Sequence, residues 1–290
     1  NGIGRGIALA CAAEGANVVV ADYGVSLDGR DPSSEVADGV VAEITAAGGT
    51  AVAVAGDVSK MEVGQQIIDT AVDNWGSIDG VVCVAGIVRE RMLFNMSEEE
   101  FDDVVAVHLK GHFTLYRAAS AVMRKQESGG SLVGFTSGAF VASTAQANYS
   151  AAKGGVVSLT RSAAFALRRY GINANCIAPT AMTRMSENVP FEIEAGAPED
   201  IAPLAVYLLS DAARDITAQT YTCTGSRIAV WNQPVEVREM TANTDGVFTV
   251  DEIAERLPVS IGHEEMPMFA DLERRMKEMA EQKAAEEASS

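Results

Sequence analysis

Cysteine and histidine are scarce in this 290-residue chain, with four of the first and three of the second. Cys11, Cys83, Cys176 and Cys223 stand far apart, form no CxxC pair and sit in apolar stretches. They read as reduced core thiols of a cytoplasmic protein, not as a disulfide framework. His108, His112 and His263 offer no plausible metal set, so no metal is expected. Positive charge is short as well: 22 Lys and Arg stand against 40 Asp and Glu, for a net charge of −18. Binding to nucleic acid or an anionic membrane through bulk charge is thereby excluded, and the acidity reads as solubility. No apolar run is long enough to cross a bilayer. An initiator methionine is also missing. The chain opens Asn1-Gly2-Ile3-Gly4-Arg5-Gly6 with a glycine motif already under way. The expectation is a fragment whose first strand is absent.

What is present is apolar residue in quantity, 48% of the chain, together with 26 glycines. That balance suits a sheet covered by Ala-rich helices. Continuous apolar runs at 16–22, 50–58, 78–86, 131–137 and 172–179 predict buried strands. Helical stretches separate them at 3–14, 34–47, 60–75, 97–126, 148–169 and 198–210. Ser97 with Glu100 forms a capping box, and Pro198 stands at a favourable first helical position. The alternation predicts an α/β fold with a Rossmann-like, doubly wound parallel sheet over residues 1–230. After Trp231 the alternation stops. Residues 231–290 read as a C-terminal, mostly helical extension. It comprises an irregular stretch to 250, a short helix at 250–257, and an acidic amphipathic helix at 268–288 with Phe269, Leu272, Met276 and Met279 on one stripe.

The opening glycines let a backbone approach a pyrophosphate, while a helix N-terminus offers it unpaired N–H groups. The next strand ends at Asp22, about 20 residues on, where a nucleotide fold places an acid for the adenosine ribose hydroxyls. A carboxylate there repels a 2′-phosphate, and Asn1 before Gly2 is no cation to offset it, so NAD is expected over NADP. Asp57-Val58 and Ala85-Gly86 close the third and fourth strands, whose C-termini form the ligand crevice of such a sheet.

Tyr149 and Lys153, four residues apart on a helix, place a phenol and an ammonium on one face. A free tyrosine titrates near pH ~10, and a neighbouring positive charge is expected to lower that value. The pair suits proton transfer to an alcohol oxygen while a cofactor carries the hydride. A hydroxyl to polarise that oxygen is expected at the end of the fifth strand, where Thr136 and Ser137 both qualify.

These motifs, in this order, resemble the short-chain dehydrogenase/reductase family over roughly positions 1–225. VVVADYG, VHLKGHF, QANYSAAK and IAPTAMTRM are similar to the hydroxyacyl-CoA dehydrogenase units of peroxisomal multifunctional enzymes and their bacterial relatives. The resemblance implies that Gly2, Ile3 and Gly4 border the cofactor pyrophosphate, Asp22 the adenosine ribose, and Asp57 with Val58 the adenine. Ala85 and Gly86 would lie along the cofactor, with Pro179 and Thr183 near the carboxamide. Ser137, by its Thr-Ser pattern, Tyr149 and Lys153 would carry the chemistry, the last two also touching the nucleotide. His108 replaces a family asparagine and would join the proton relay; its bland alternative is a hydrogen-bonded helix histidine. Cys83-Val84-Ala85-Gly86 departs from the family's Asn-Asn-Ala-Gly, and Thr180 replaces a glycine.

The function expected is NAD(H)-dependent interconversion of a secondary alcohol and its ketone, with a 3-hydroxyacyl thioester or a steroid as candidate substrate. A 3-oxoacyl thioester reductase and a non-catalytic dinucleotide-binding scaffold are the alternatives. By the resemblance, helices 97–126 and 148–169 would pair across a homodimer or homotetramer.

Overall fold

Runs of small and β-branched apolar residues, separated by Ala-rich segments, fold into strands and helices in alternation. The computed structural model describes residues 1–24, 33–181, 196–243, 246–262, 266, 269, 273–274, 276–278 and 281. The order begins α1 (Gly2–Ala13), β1 (Asn17–Asp22), α2 (Glu35–Ala46), β2 (Thr50–Ala55), α3 (Met61–Trp75) and β3 (Gly80–Cys83). It continues with α4 (Glu98–Val105), α5 (Gly111–Met123), β4 (Gly130–Phe135), α6 (Ala147–Leu167) and β5 (Ile172–Pro179). Last come α7 (Ala202–Leu209), β6 (Thr220–Thr224), β7 (Arg227–Val230) and α8 (Val250–Ser260).

Strands β3-β4-β5-β6-β7 form one sheet in that order, and β1 pairs with β2 alone. Every pairing is parallel except β6 with β7. Among the described residues no strand pairs with the free edges of β1 and β3. This explains one departure from expectation. The strands at 16–22 and 50–58 were expected to be buried, yet Val18, Val19 and Val20 are only half-buried, as are Ala51, Val52 and Ala53 of β2. Strand β5, paired on both sides, is buried from Ile172 to Ala178.

Period-two alternation fills two cores, one on each face of the larger sheet. On β4, Leu132 packs into the core that holds Ile68 of α3 and Tyr116 and Met123 of α5. Val133 and Phe135 enter the other, with Ile7 of α1 and Leu204 and Leu208 of α7. Helices on both faces leave the strand C-termini as the open edge, which is where loops carrying chemistry gather.

Three further expectations are corrected. The stretch 97–126 is not one α-helix: α4 and α5 are joined by a π-helical turn, Ala106–Lys110, that carries His108. Such turns are rare and cluster at functional sites. The capping box of Ser97 and Glu100 is formed, with both reciprocal bonds at 3.1 and 2.9 Å. Residues 198–201 form a 3-10 turn, and the α-helix starts only at Ala202. The hairpin β6–β7, with its antiparallel return, went unforeseen because Thr220, Thr222 and Thr224 break any continuous apolar run.

The chain divides into two compact units, Asn1–Trp231 and Asn232–Ser290. In the second, Thr249 caps α8 by accepting from the Glu252 N–H at 3.1 Å, and Glu252 pairs with Arg256. Phe269 and Met276 of the expected stripe are exposed; Leu272, Met279 and His263 fall outside the described residues.

Candidate active site

The first half of the site is the start of α1. Asn1 makes no side-chain capping hydrogen bond to the first turn of the helix. Gly2 has a φ of +52°, a conformation that favours glycine. Gly4 is different: a Cβ there would meet nothing closer than Val84 at 3.8 Å. A helical glycine costs about 1 kcal/mol relative to alanine, and the chain's own packing does not require it. The space it leaves at the helix N-terminus fits a pyrophosphate. Ile3 is half-buried and packs into the core beside Val82 and Val84.

Asp22 lies next to this helix start, its Oδ2 3.9 Å from the Asn1 nitrogen. Its Oδ1 accepts from the Gly24 N–H at 2.7 Å, a local bond that fixes the carboxylate at the strand end. Tyr23, Ser33, Ser34, Ala55 and Gly56 line a cavity of about 160 Å³ beside it. Asp57 turns inward on its own chain, accepting from the Ser59 N–H at 2.9 Å. The Val58 carbonyl accepts from Thr114 Oγ1 at 2.6 Å and ties the β2 end to α5. Ala85 is exposed along the crevice. Pro179 ends β5 at the same sheet edge. Thr183 lies outside the described residues. A larger cavity, about 390 Å³, is lined by Asp79, Gly130 and Asn173 at the strand N-termini, the wrong edge for this chemistry.

The second half gathers Ser137, Tyr149, Lys153 and His108. Thr136 and Ser137 directly follow β4, and the structure distinguishes them. Thr136 is buried, with its hydroxyl donating to the Lys153 carbonyl at 2.9 Å. Ser137 is half-buried; its Oγ accepts from the Ala139 N–H at 3.2 Å, and its hydroxyl stands close enough to the Tyr149 phenol to favour the ionised form. Lys153 is 3% exposed; its Nζ donates to the Phe135 carbonyl at 2.6 Å and stands 5.4 Å from the Tyr149 ring centroid.

Electrostatics correct one expectation. Lys153 was to make the phenol more acidic, but burial raises the Tyr149 pKa above its ordinary value, and only the neighbouring Ser137 hydroxyl opposes that. Burial acts on Lys153 too, lowering it to about 8. Desolvation penalises the charged form of each group, and in both it is the largest cause of the shift. In this state the phenol holds its proton.

His108 is buried, its ring edge-on to Tyr149 with centroids 5.1 Å apart. Nε2 faces both the carbonyl of Ile87, at 2.8 Å, and its N–H, at 3.2 Å, and the tautomer decides which of the two bonds forms. Nδ1 is left buried with no partner. Gly86 is glycine for this ring's sake: a Cβ would come within 2.3 Å of His108 Cε1. Burial and the Lys153 charge hold the imidazole neutral, with its pKa well below the usual value.

Sequence reasoning missed Asn148. It is fully buried; Nδ2 donates to the carbonyls of Arg89 and Glu100 at 3.0 and 2.8 Å, and Oδ1 accepts from the Tyr149 N–H at 2.8 Å. One amide thus pins the first turn of α6 to two other segments. The signal was an amide on the buried face of a helix start, directly before the tyrosine.

Among known proteins, the family described as enoyl-(acyl carrier protein) reductase matches residues 1–225. The hydroxyacyl-CoA dehydrogenase ChsB1 of Mycobacterium tuberculosis is 42% identical over 258 residues, which cover 83% of this chain and 80% of that protein. Peroxisomal multifunctional enzyme type 2 of Mus musculus is 41% identical over 216 residues, 74% of this chain but 29% of that protein. The crystal structure of a short chain dehydrogenase from Mycobacterium avium matches with a TM-score of 0.82 at 44% identity, covering 92% of this chain and 93% of that one.

Proposed function

The chain belongs to the short-chain dehydrogenase/reductase family, and from that premise we propose that it interconverts a secondary alcohol and its ketone with NAD(H), a 3-hydroxyacyl thioester being the substrate class. One observation carries the reading: Ser137, Tyr149 and Lys153 converge at the C-terminal edge of the sheet, with the serine hydroxyl beside the phenol and the ammonium 5.4 Å from its ring centroid. Relatives named as hydroxyacyl-CoA dehydrogenase or peroxisomal multifunctional enzyme support the thioester over a steroid.

Bound along the strand ends, the nicotinamide cofactor supplies hydride exchange with the substrate carbon. The chain's own residues do the rest. Gly2, Ile3 and Gly4 seat the pyrophosphate on the α1 N-terminus, and Asp22 accepts hydrogen bonds from the adenosine ribose. That carboxylate, with no cationic side chain at position 1 to offset it, favours NAD over NADP. Tyr23, Ala55 and Gly56 border a cavity beside Asp22 that suits the adenine. Tyr149 exchanges a proton with the substrate oxygen, which Ser137 polarises by donating a hydrogen bond. Lys153 holds the nicotinamide ribose and offsets the charge that develops on the phenol. His108, edge-on to that phenol with an Nδ1 that has no hydrogen-bond partner, stands ready to hold a water of the proton relay.

Exposed Phe113 on α5 and Phe165 on α6, the latter 90% exposed, support a homodimer or homotetramer. Among the described residues no helix is long and apolar enough to cross a membrane.

The test is a screen of 3-hydroxyacyl-CoA, acyl-carrier-protein thioester and steroid substrates, each with NAD and NADP. NAD-linked oxidation of the CoA thioester is the expected result. NADPH-linked reduction of a carrier-protein thioester would replace the reading with a biosynthetic one, and cofactor binding without hydride transfer would leave a scaffold.

A further inference from the structure

We propose that His112 is a positioning residue for this reaction: it closes the open end of the β3–β4 ladder and so fixes the Phe135 carbonyl that anchors Lys153. The proposal rests on the active-site reading given above.

Strand β3 stops at the Cys83–Gly134 pair, while β4 runs one residue further to Phe135. The Phe135 N–H therefore has no strand partner on that side, and a buried backbone donor left unpaired is costly. His112, on α5, takes the place of the strand. Its Nε2 accepts from the Phe135 N–H at 3.1 Å, and the Cys83 carbonyl also faces the ring. The other ring nitrogen, Nδ1, lies 2.6 Å from the carbonyl of His108 in the π-helical turn. A carbonyl can only accept, so Nδ1 carries the proton and Nε2 is bare. Both bonds are met by this single neutral tautomer. Burial keeps the ring neutral, with its pKa lowered to about 3.

From Phe135 the connection passes to the site. The Phe135 carbonyl accepts from Lys153 Nζ at 2.6 Å, and the next N–H, of Thr136, donates to Ile177 at 2.8 Å. Residue 135 is thus gripped by α5 on its amide side and by α6 and β5 on its carbonyl side. The slot is fitted: a Cβ on Gly134 would come 3.3 Å from His112 Cδ2 and 2.7 Å from the Tyr116 hydroxyl. An apolar ring would fill that slot without the cost of burying two polar atoms. The imidazole is retained there for its bonds, which run from the turn beside Tyr149 to the ammonium beneath it.

Three variants separate the two bonds. His112→Phe keeps the shape and loses both; His112→Asn keeps a donor near the Nδ1 position; His112→Gln places an acceptor near the Nε2 position. In lysine-labelled protein, NMR titration of Lys153 reads the anchoring without any turnover. Its midpoint is expected to move by about one unit in His112→Phe and His112→Asn, and to stay near the wild-type value in His112→Gln. Turnover of the first two should fall about tenfold, and the cofactor KM should rise, because Lys153 also holds the nicotinamide ribose. In the wild type, ¹⁵N spectra should show the Nδ1–H tautomer at neutral pH. An Nε2–H tautomer, or a Lys153 midpoint unmoved in all three variants, overturns the proposal. A wild type that turns over no alcohol defeats the functional reading instead, and the NMR results still decide the role of His112.

Discussion

Lys153 is a buried cation whose burial lowers its pKa from 10.5 to about 8, and that shift is a statement about stability. With the folded value below the unfolded one, the native state releases its proton first as pH rises. Between about pH 8 and 10.5 the unfolded chain binds more protons, so the penalty on the folded state shrinks across that window. Below pH 8 it is fully present. At about 1.4 kcal/mol per unit, the lowering from 10.5 to about 8 corresponds to about 3 kcal/mol. Lys153→Met removes the charge and keeps a stem of similar length. It also strips the Phe135 carbonyl of its donor, at a cost of about 1–3 kcal/mol, so at pH 7 the two effects offset and the variant should be nearly as stable as the parent. The slope is the test. Urea unfolding of both proteins at intervals from pH 6.5 to 10.5 should show the parent gaining about 3 kcal/mol on the variant. Groups common to both proteins cancel in this difference. A difference that stays flat with pH would mean that the ammonium is not desolvated, and the electrostatic account of the site would be wrong.

Other outcomes follow from the same geometry. Ser137→Ala should lower turnover about 100-fold or more, as loss of one polarising donor does elsewhere, whereas Thr136→Val, which breaks only the bond to the Lys153 carbonyl, should act chiefly on thermal stability; steady-state kinetics beside melting curves separate them. Asp22→Ser should relax the preference for NAD over NADP, measured as the ratio of the two kcat/KM values, and an unchanged ratio would remove Asp22 from the ribose site. Gly86→Ala drives a methyl into His108 and should destabilise by about 1–3 kcal/mol in denaturant melts. Asn148→Leu unpins the first turn of α6 and should cost about 2 kcal/mol or more of stability, with a larger loss in kcat than in cofactor affinity.

The sheet was legible because parallel strands buried on both faces appear as unbroken apolar runs, as in INANCIAP of β5. The hairpin was not, since its alternating threonines carry no such run. Ser97 and Glu100 announced their capping box because capping is local chemistry. The π-helical turn at His108 left no local mark: it is stabilised by bonds from Ile87 and His112, distant in sequence or folded back from the next turn. The same contrast runs through the site. Tyr149 and Lys153 were found by spacing, but spacing carries no information on burial, so the direction in which the tyrosine titrates came out reversed. His112 and Asn148 act through backbone groups of other segments, and only the folded chain brings those groups to them.

Whether Tyr149 hands its proton to the substrate is decided most directly by Tyr149→Phe, assayed for hydride transfer on the best substrate and for NADH binding by fluorescence. The account requires turnover to vanish while NADH still binds with near-parental affinity. Turnover close to that of the parent would contradict it.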